Sequence, residues 1–116
     1  MYRGATRVYL ARHGRTALNA EDLLLGLSDP PLDEVGVAEA ARLAEVLATK
    51  NPTAVISSPL QRAVATAEAI GAAAGVPASI DIRLNDRDYG TLTGERRDEV
   101  RCRFGSIDAA PGVETT

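Results

Sequence analysis

The sequence predicts an α/β fold with a mostly parallel sheet covered by helices, on three observations. Three short apolar segments, Arg7–Ala11, Ala54–Ile56 and Ser79–Ile82, read as strands. Two longer segments with helical spacing lie between them. The order strand–helix–strand–helix–strand implies right-handed crossovers, and so parallel strands under helices.

Each element has its own signals. Arg7–Ala11 reads as a buried strand, β-branched and aromatic at its centre. Residues 12–31 read as a loop, because Gly26, Ser28, Asp29, Pro30 and Pro31 break any helix there. Leu23, Leu24 and Leu25 form an apolar cluster expected to tuck under that loop. Asp33 has the side chain of an N-cap. From it Val35, Ala38, Ala41, Leu43, Ala44, Val46 and Leu47 recur at helical spacing, with Glu39, Arg42 and Glu45 on the wetter face. That pattern predicts an amphipathic helix to about Ala48. Asn51-Pro52 ends it, and Ala54–Ile56 is a second buried strand. Ser58 is expected to cap the next helix, with Pro59 in its first turn, where a missing N–H costs nothing. Leu60, Val64, Ala67 and Ile70 carry this helix to about Ala74, and Gly75 stops it. Ser79–Ile82 is the third strand, residues 83–94 a polar loop, residues 96–104 a short helix, and the tail from Ser106 a loop.

Composition bounds the rest. At 116 residues the chain is one domain at most, with a modest core. Three Tyr, one Phe and no Trp leave Ala, Val and Leu to fill that core. A net charge of −3 gives no argument for nucleic acid or an acidic membrane surface. The arginines of positions 83–103 are interleaved with Asp81, Asp86, Asp88, Glu95, Asp98 and Glu99, as on a solvated mixed surface. One cysteine, Cys102, excludes an internal disulfide and sits in a polar run unsuited to a nucleophile. One His and one Cys cannot build the usual nitrogen and sulfur shell of a metal site. With no apolar leader and no membrane-length apolar run, the expected location is cytoplasmic.

The single histidine lies in Arg12-His13-Gly14, directly after the first predicted strand. Ligands of open α/β sheets collect at such strand ends. Imidazole is largely neutral near pH 7 and serves as a covalent nucleophile. His13 beside Arg12 can therefore attack a phosphoryl group that the arginine holds. Alone the tripeptide is a weak motif, equally compatible with a surface histidine. Arg62 lies in the first turn of the second predicted helix, where the helix dipole also favours an anion. A guanidinium fork matches phosphate, so Arg12 and Arg62 are the expected clamps. An isolated helix arginine is more often simply solvent-facing.

Two further segments complete a pattern: Ser57-Ser58-Pro59-Leu60-Gln61-Arg62-Ala63-Val64-Ala65-Thr66-Ala67 and Leu84-Asn85-Asp86-Arg87-Asp88-Tyr89-Gly90. With Arg12-His13-Gly14 they resemble the histidine phosphatase superfamily, the fold of cofactor-dependent phosphoglycerate mutases and many small phosphatases. The resemblance covers nearly all of the chain. It implies a three-layer α/β/α domain, phosphoglycerate mutase-like, of which residues 1–116 are an N-terminal portion and which is incomplete at its C-terminus. It also implies a phosphohistidine on His13 and a backbone carbonyl that accepts the other ring N–H.

The resemblance further assigns substrate or phosphate contacts to Gly14, Thr16, Asn19 and Gly26, and to Tyr89 and Arg97, which match mutase residues. Read locally, Thr16 and Asn19 are equally well turn residues, and Tyr89 and Arg97 a loop anchor and a surface charge. Asp86 matches the proton donor to the leaving oxygen, where the family usually has glutamate. Aspartate is about 1.5 Å shorter in reach. Asp88 is a rival acid whose position matches a structural aspartate.

The family's second histidine, in a Ser-His-Gly strand, has no counterpart here. Nor is there room between Phe104 and Pro111 for the long insertion that holds the mutase branch's bisphosphate cofactor. The expected activity is accordingly a cofactor-independent phosphomonoesterase acting on a small phosphorylated metabolite. A phosphoglycerate mutase-type phosphotransferase and a non-catalytic remnant that keeps a phosphate pocket are the alternatives. Nothing in the sequence fixes an oligomeric state.

Overall fold

A computed structural model describes residues 7–17, 21–24, 27–85 and 94–104. Its elements are α1 (Glu34–Ala48), β1 (Val55–Ser57), α2 (Gln61–Ala74), β2 (Ala78–Ile80), a 3₁₀ turn (Ile82–Leu84) and α3 (Arg97–Phe104). The two strands pair in parallel, with Val55 opposite Ala78, Ile56 opposite Ser79 and Ser57 opposite Ile80. The α/β class and the parallel sense are as predicted. Helix α1 packs on α2, and α2 packs on both strands.

The local punctuation of the helices is where the sequence puts it. Asp33 caps α1, its Oδ1 accepting from the Gly36 amide at 2.7 Å. Gly75 closes α2 in the left-handed conformation, φ 74°, and its N–H donates to the Gly71 carbonyl. Two regions hold the core. Ala40 and Ala44 of α1 are buried, as are Leu60, Ala67 and Ile70 at and within α2. Leu24 and Val100 are sealed from solvent in the second region. There the Leu24 amide donates to the Glu95 carbonyl (2.9 Å) and the Gly94 amide to the Leu24 carbonyl (2.8 Å). These bonds fold the start of α3 back onto the loop that follows His13, and Leu24 is tucked in as expected.

Several expectations are corrected. Residues 7–11 form no strand: the sheet among the described residues has only β1 and β2, and Val8 and Leu10 are 78% and 96% exposed. A strand is held by its neighbour's backbone, and among the described residues no neighbour pairs with this segment. The second predicted strand, observed as β1, is buried only in part, at Ser57. Ile56 and Ile80 are more than half exposed, because no described element covers the sheet face opposite α2. Ile82 belongs to the 3₁₀ turn, where the Asp81 side chain accepts from the Arg83 amide and ends β2.

Ser58 does not cap α2. The helix starts two residues later, after Leu60, and Ser58 is instead buried. Asp29, from the preceding loop, supplies the acceptor that the Gln61 amide needs, at 2.6 Å. In α1 the buried stripe is Gly36, Ala40 and Ala44, while Val35 and Val46 are exposed. Small residues allow α2 to approach closely, and that contact decides the rotation of the helix rather than the valines.

Candidate active site

The segment Arg12–Thr16 is positioned by both helices. From α1, the Glu39 carboxylate accepts from the Arg15 amide at 2.9 Å. The Asp33 carboxylate accepts from Arg15 Nε at 2.7 Å, and the Asp33 amide donates to the Arg15 carbonyl at 2.9 Å. Backbone approaches backbone here without side chains between: a β-carbon on Gly14 would run into the Gly36 carbonyl, and one on Gly36 into the Arg15 carbonyl. From α2, Thr66 Oγ1 accepts from the Gly14 amide at 3.1 Å. Thr16 is sealed from solvent and bridges to Leu32 in antiparallel fashion.

His13 Nδ1 lies 2.7 Å from the Gly14 carbonyl oxygen. A carbonyl only accepts, so in the neutral ring the proton sits on Nδ1 and the lone pair on Nε2. Arg12, His13, Arg15 and Glu39 line one open cleft of about 270 Å³. Its cationic groups suit an anionic ligand. Asp33, which holds the Arg15 side chain, is kept below the usual carboxylate range, first by the Gly36 amide and then by Arg15. It stays ionised and keeps Arg15 in place.

Arg62 is 1% exposed, and its Nη1 donates to the Ser28 carbonyl at 2.8 Å. The same loop is tied to the start of α2 by a reciprocal pair: the Gln61 amide donates to Asp29 Oδ1, and Gln61 Nε2 to the Asp29 carbonyl at 2.9 Å. Arg62 does not line the cleft of Arg12 and His13, but one side chain links it to them. Thr66 Oγ1 donates to the Arg62 carbonyl at 2.7 Å while receiving the Gly14 amide.

Of the residues singled out from sequence, Arg12 and His13 come together in the cleft, with Gly14 beneath them. Arg62 and Thr16 are buried nearby in the chain's hydrogen-bonded framework. Arg97 is not part of the cleft lining; its Nε faces Asp22 Oδ1 at 3.6 Å and its amide donates to the Asp22 carbonyl. Asn19, Gly26, Asp86 and Tyr89 lie outside the described residues, as does Asp88.

Arg15, Ser28, Asp29, Glu39 and Thr66 were not anticipated at the site. For Thr66 a signal existed: it follows Arg62 by four residues, which puts both on one helix face. In the sequence Asp29 is legible only as a helix breaker, and its role as a cap depends on a contact across 32 positions. Nothing local marks Glu39, whose part is to hold a backbone amide.

The chain belongs to the histidine phosphatase superfamily, branch 1, whose family model matches residues 8–110. It is 40% identical over 107 residues to a glucosyl-3-phosphoglycerate phosphatase of Mycolicibacterium vanbaalenii, covering 92% of this chain and 45% of the relative. It is 41% identical over 104 residues to a 2,3-bisphosphoglycerate-dependent phosphoglycerate mutase of Bifidobacterium longum, covering 85% of this chain and 42% of the relative.

Solved structures agree on the fold. A mycobacterial glucosyl-3-phosphoglycerate phosphatase in complex with VO3 superposes with a TM-score of 0.75 at 32% identity, over 86% of this chain and 45% of that one. YhfR of Bacillus stearothermophilus gives 0.73 at 34% identity, over 84% and 48%. The chain therefore spans less than half the length of the curated relatives it matches. Among the described residues, no helix is long and apolar enough to cross a membrane.

Proposed function

We propose that residues 1–116 are the nucleophile-bearing N-terminal portion of a single phosphomonoester hydrolase domain that works through a phosphohistidine on His13. The observation that carries this reading is the 2.7 Å contact between His13 Nδ1 and the Gly14 carbonyl, in a cleft shared with Arg12. It leaves Nε2 as the nitrogen with the lone pair, which an in-line attack on phosphorus requires.

In the first step the Nε2–P bond forms as the bond from phosphorus to the ester oxygen breaks. Asp86 gives its proton to that oxygen. Arg12 and Arg62 neutralise charge on the equatorial oxygens, where preorganised donors act most strongly. In the second step water attacks phosphorus, Asp86 takes its proton, and Nε2 leaves with the electron pair. Thr16, Asn19 and Gly26 order the phosphate loop, and Tyr89 and Arg97 contact the rest of a small phosphorylated metabolite. No resident cofactor or metal takes part.

A second reading, transfer to another phosphoglycerate in place of water, is favoured by the mutase relative, which is as similar as the phosphatase. Dependence of turnover on added bisphosphoglycerate separates the two. The central test is covalent. The full-length protein given a ³²P-labelled monoester and quenched in alkali should carry an acid-labile label, and His13→Ala should abolish it. Label that survives in the variant, or none in the unaltered full-length protein, counts against the proposal.

A further inference from the structure

We propose that Thr66 is a positioning residue whose single hydroxyl sets the tautomer of the His13 ring and holds the candidate nucleophile and the Arg62 clamp in one register. The proposal rests on the reading of His13 and Arg62 given above, and it goes beyond that reading by assigning a role to a residue that carries no charge and touches no ligand.

A hydroxyl has one proton and two acceptor sites. The Arg62 carbonyl, 2.7 Å away, accepts only, so the Thr66 proton goes there. The Gly14 amide, 3.1 Å away, donates only, so it takes an oxygen lone pair. Both roles are fixed by the partners, with no alternative rotor. Thr66 is 4% exposed and Gly14 is buried, so water cannot substitute at either end.

Gly14 is also the residue whose carbonyl holds His13 Nδ1. One continuous path thus runs from the His13 ring through Gly14 and the Thr66 hydroxyl to the backbone of Arg62. Gly14 has no side chain to restrain its two peptide planes. Its amide is held by Thr66, and it is crowded by the Gly36 carbonyl of α1. Without the hydroxyl the Gly14 amide is a buried donor with no acceptor, and the residue turns to find one. Its carbonyl then leaves Nδ1.

The helix itself does not account for this residue. Threonine is a poor helix former, and a hydroxyl bonded to the carbonyl four residues back slightly destabilises a helix. In a helix that is half alanine the threonine costs local stability, and what it supplies is the contact to Gly14.

The test uses the chain's single imidazole, labelled with ¹⁵N, whose signals need no assignment. Of the two neutral tautomers, the unaltered chain should show Nδ1–H alone. Thr66→Val, which keeps the shape and removes the hydroxyl, should let the Nε2–H form appear and weaken orthovanadate binding by about tenfold, the scale of one buried hydrogen bond. Thr66→Ser should restore both. Thr49→Val removes a hydroxyl bonded only to the Val46 carbonyl at the exposed end of α1 and should change neither.

A folded Thr66→Val chain with the parent tautomer and vanadate affinity overturns the proposal, as does an unaltered chain that shows mixed tautomers. Should Thr66→Val not fold, amide exchange in the unaltered chain decides. Protection of the Gly14 amide equal to that of α2 supports the bond, and exchange at the rate of residues 7–11 overturns it. The underlying reading fails separately: vanadate binding unchanged by His13→Ala would remove the function and leave the tautomer result standing.

Discussion

Gly36→Ala is the substitution for which helix propensity and packing predict opposite signs. Gly36 is the third residue of α1, inside a regular helix, where alanine is favoured over glycine by about 0.5–1 kcal/mol. On propensity alone the variant should be more stable. The structure says otherwise. The new β-carbon would meet the Arg15 carbonyl oxygen, with the Arg15 nitrogen and carbonyl carbon at 2.7 and 2.8 Å. Ordinary contacts of carbon lie near about 3.5–4.0 Å, so the Arg15 backbone must retreat by about 1 Å. No flexible side chain is available to yield instead.

Overpacking of this kind costs typically about 1–3 kcal/mol, which outweighs the propensity gain. The net expectation is destabilisation of about 1–2 kcal/mol, read as a fall in the urea midpoint with an unchanged slope. The same retreat carries Arg15, and with it Gly14 and His13, away from α1. Displacements of about 1 Å at a reacting group can cost about a hundredfold. Vanadate affinity of the folded variant should fall together with stability. A Gly36→Ala chain more stable than the parent would refute the close approach of the His13 loop to α1, and with it the geometry of the cleft.

Two further outcomes follow from surface and charge. The Asp33 carboxyl is depressed below its ordinary value of 3.8, chiefly by the Gly36 amide, so it contributes stability that is present above that value and lost as pH falls through the folded-state value. Asp33→Asn should flatten, but not abolish, the loss of urea midpoint below about pH 4, since Asp81 and Asp98 are depressed as well; an unchanged slope would show that Asp33 is not the anchor. Leu10 is 96% exposed, and Ile56 and Ile80, on the two strands of the sheet among the described residues, are 55% and 59% exposed; apolar side chains on so short a sheet are a template for self-association. Sedimentation of the parent should show oligomers that the Leu10→Lys, Ile56→Lys double variant reduces, and a monodisperse monomeric parent would count against this.

What the sequence made legible follows from the range of the forces involved. Asp33 and Gly75 were readable because a cap is settled within about one helical turn of the residue that makes it. Arg12 and His13 were readable because adjacent residues at the end of one segment share a site wherever that segment goes. The misreadings all lie at contacts between distant positions. Residues 7–11 have the composition of a strand, but a strand exists only against a neighbour. Ser58 stands where a cap belongs, yet Asp29, brought in by the loop that also receives Arg62, makes the bond.

Periodicity locates α2 by its apolar positions and says nothing of polar residues that turn inward. Arg62 and Thr66, the polar residues one turn apart on α2, are among the most buried of the chain. A buried guanidinium and hydroxyl raise the question of their partners, because burial without them is costly. Their partners are the Ser28 carbonyl, the Arg62 carbonyl and the Gly14 amide. The apolar pattern that located α2 thus describes only part of its inner face. The rest is polar, and it joins the helix to the loop that carries His13. Those polar contacts are what make the arrangement of α1, α2 and the His13 loop a candidate site as well as a packed core.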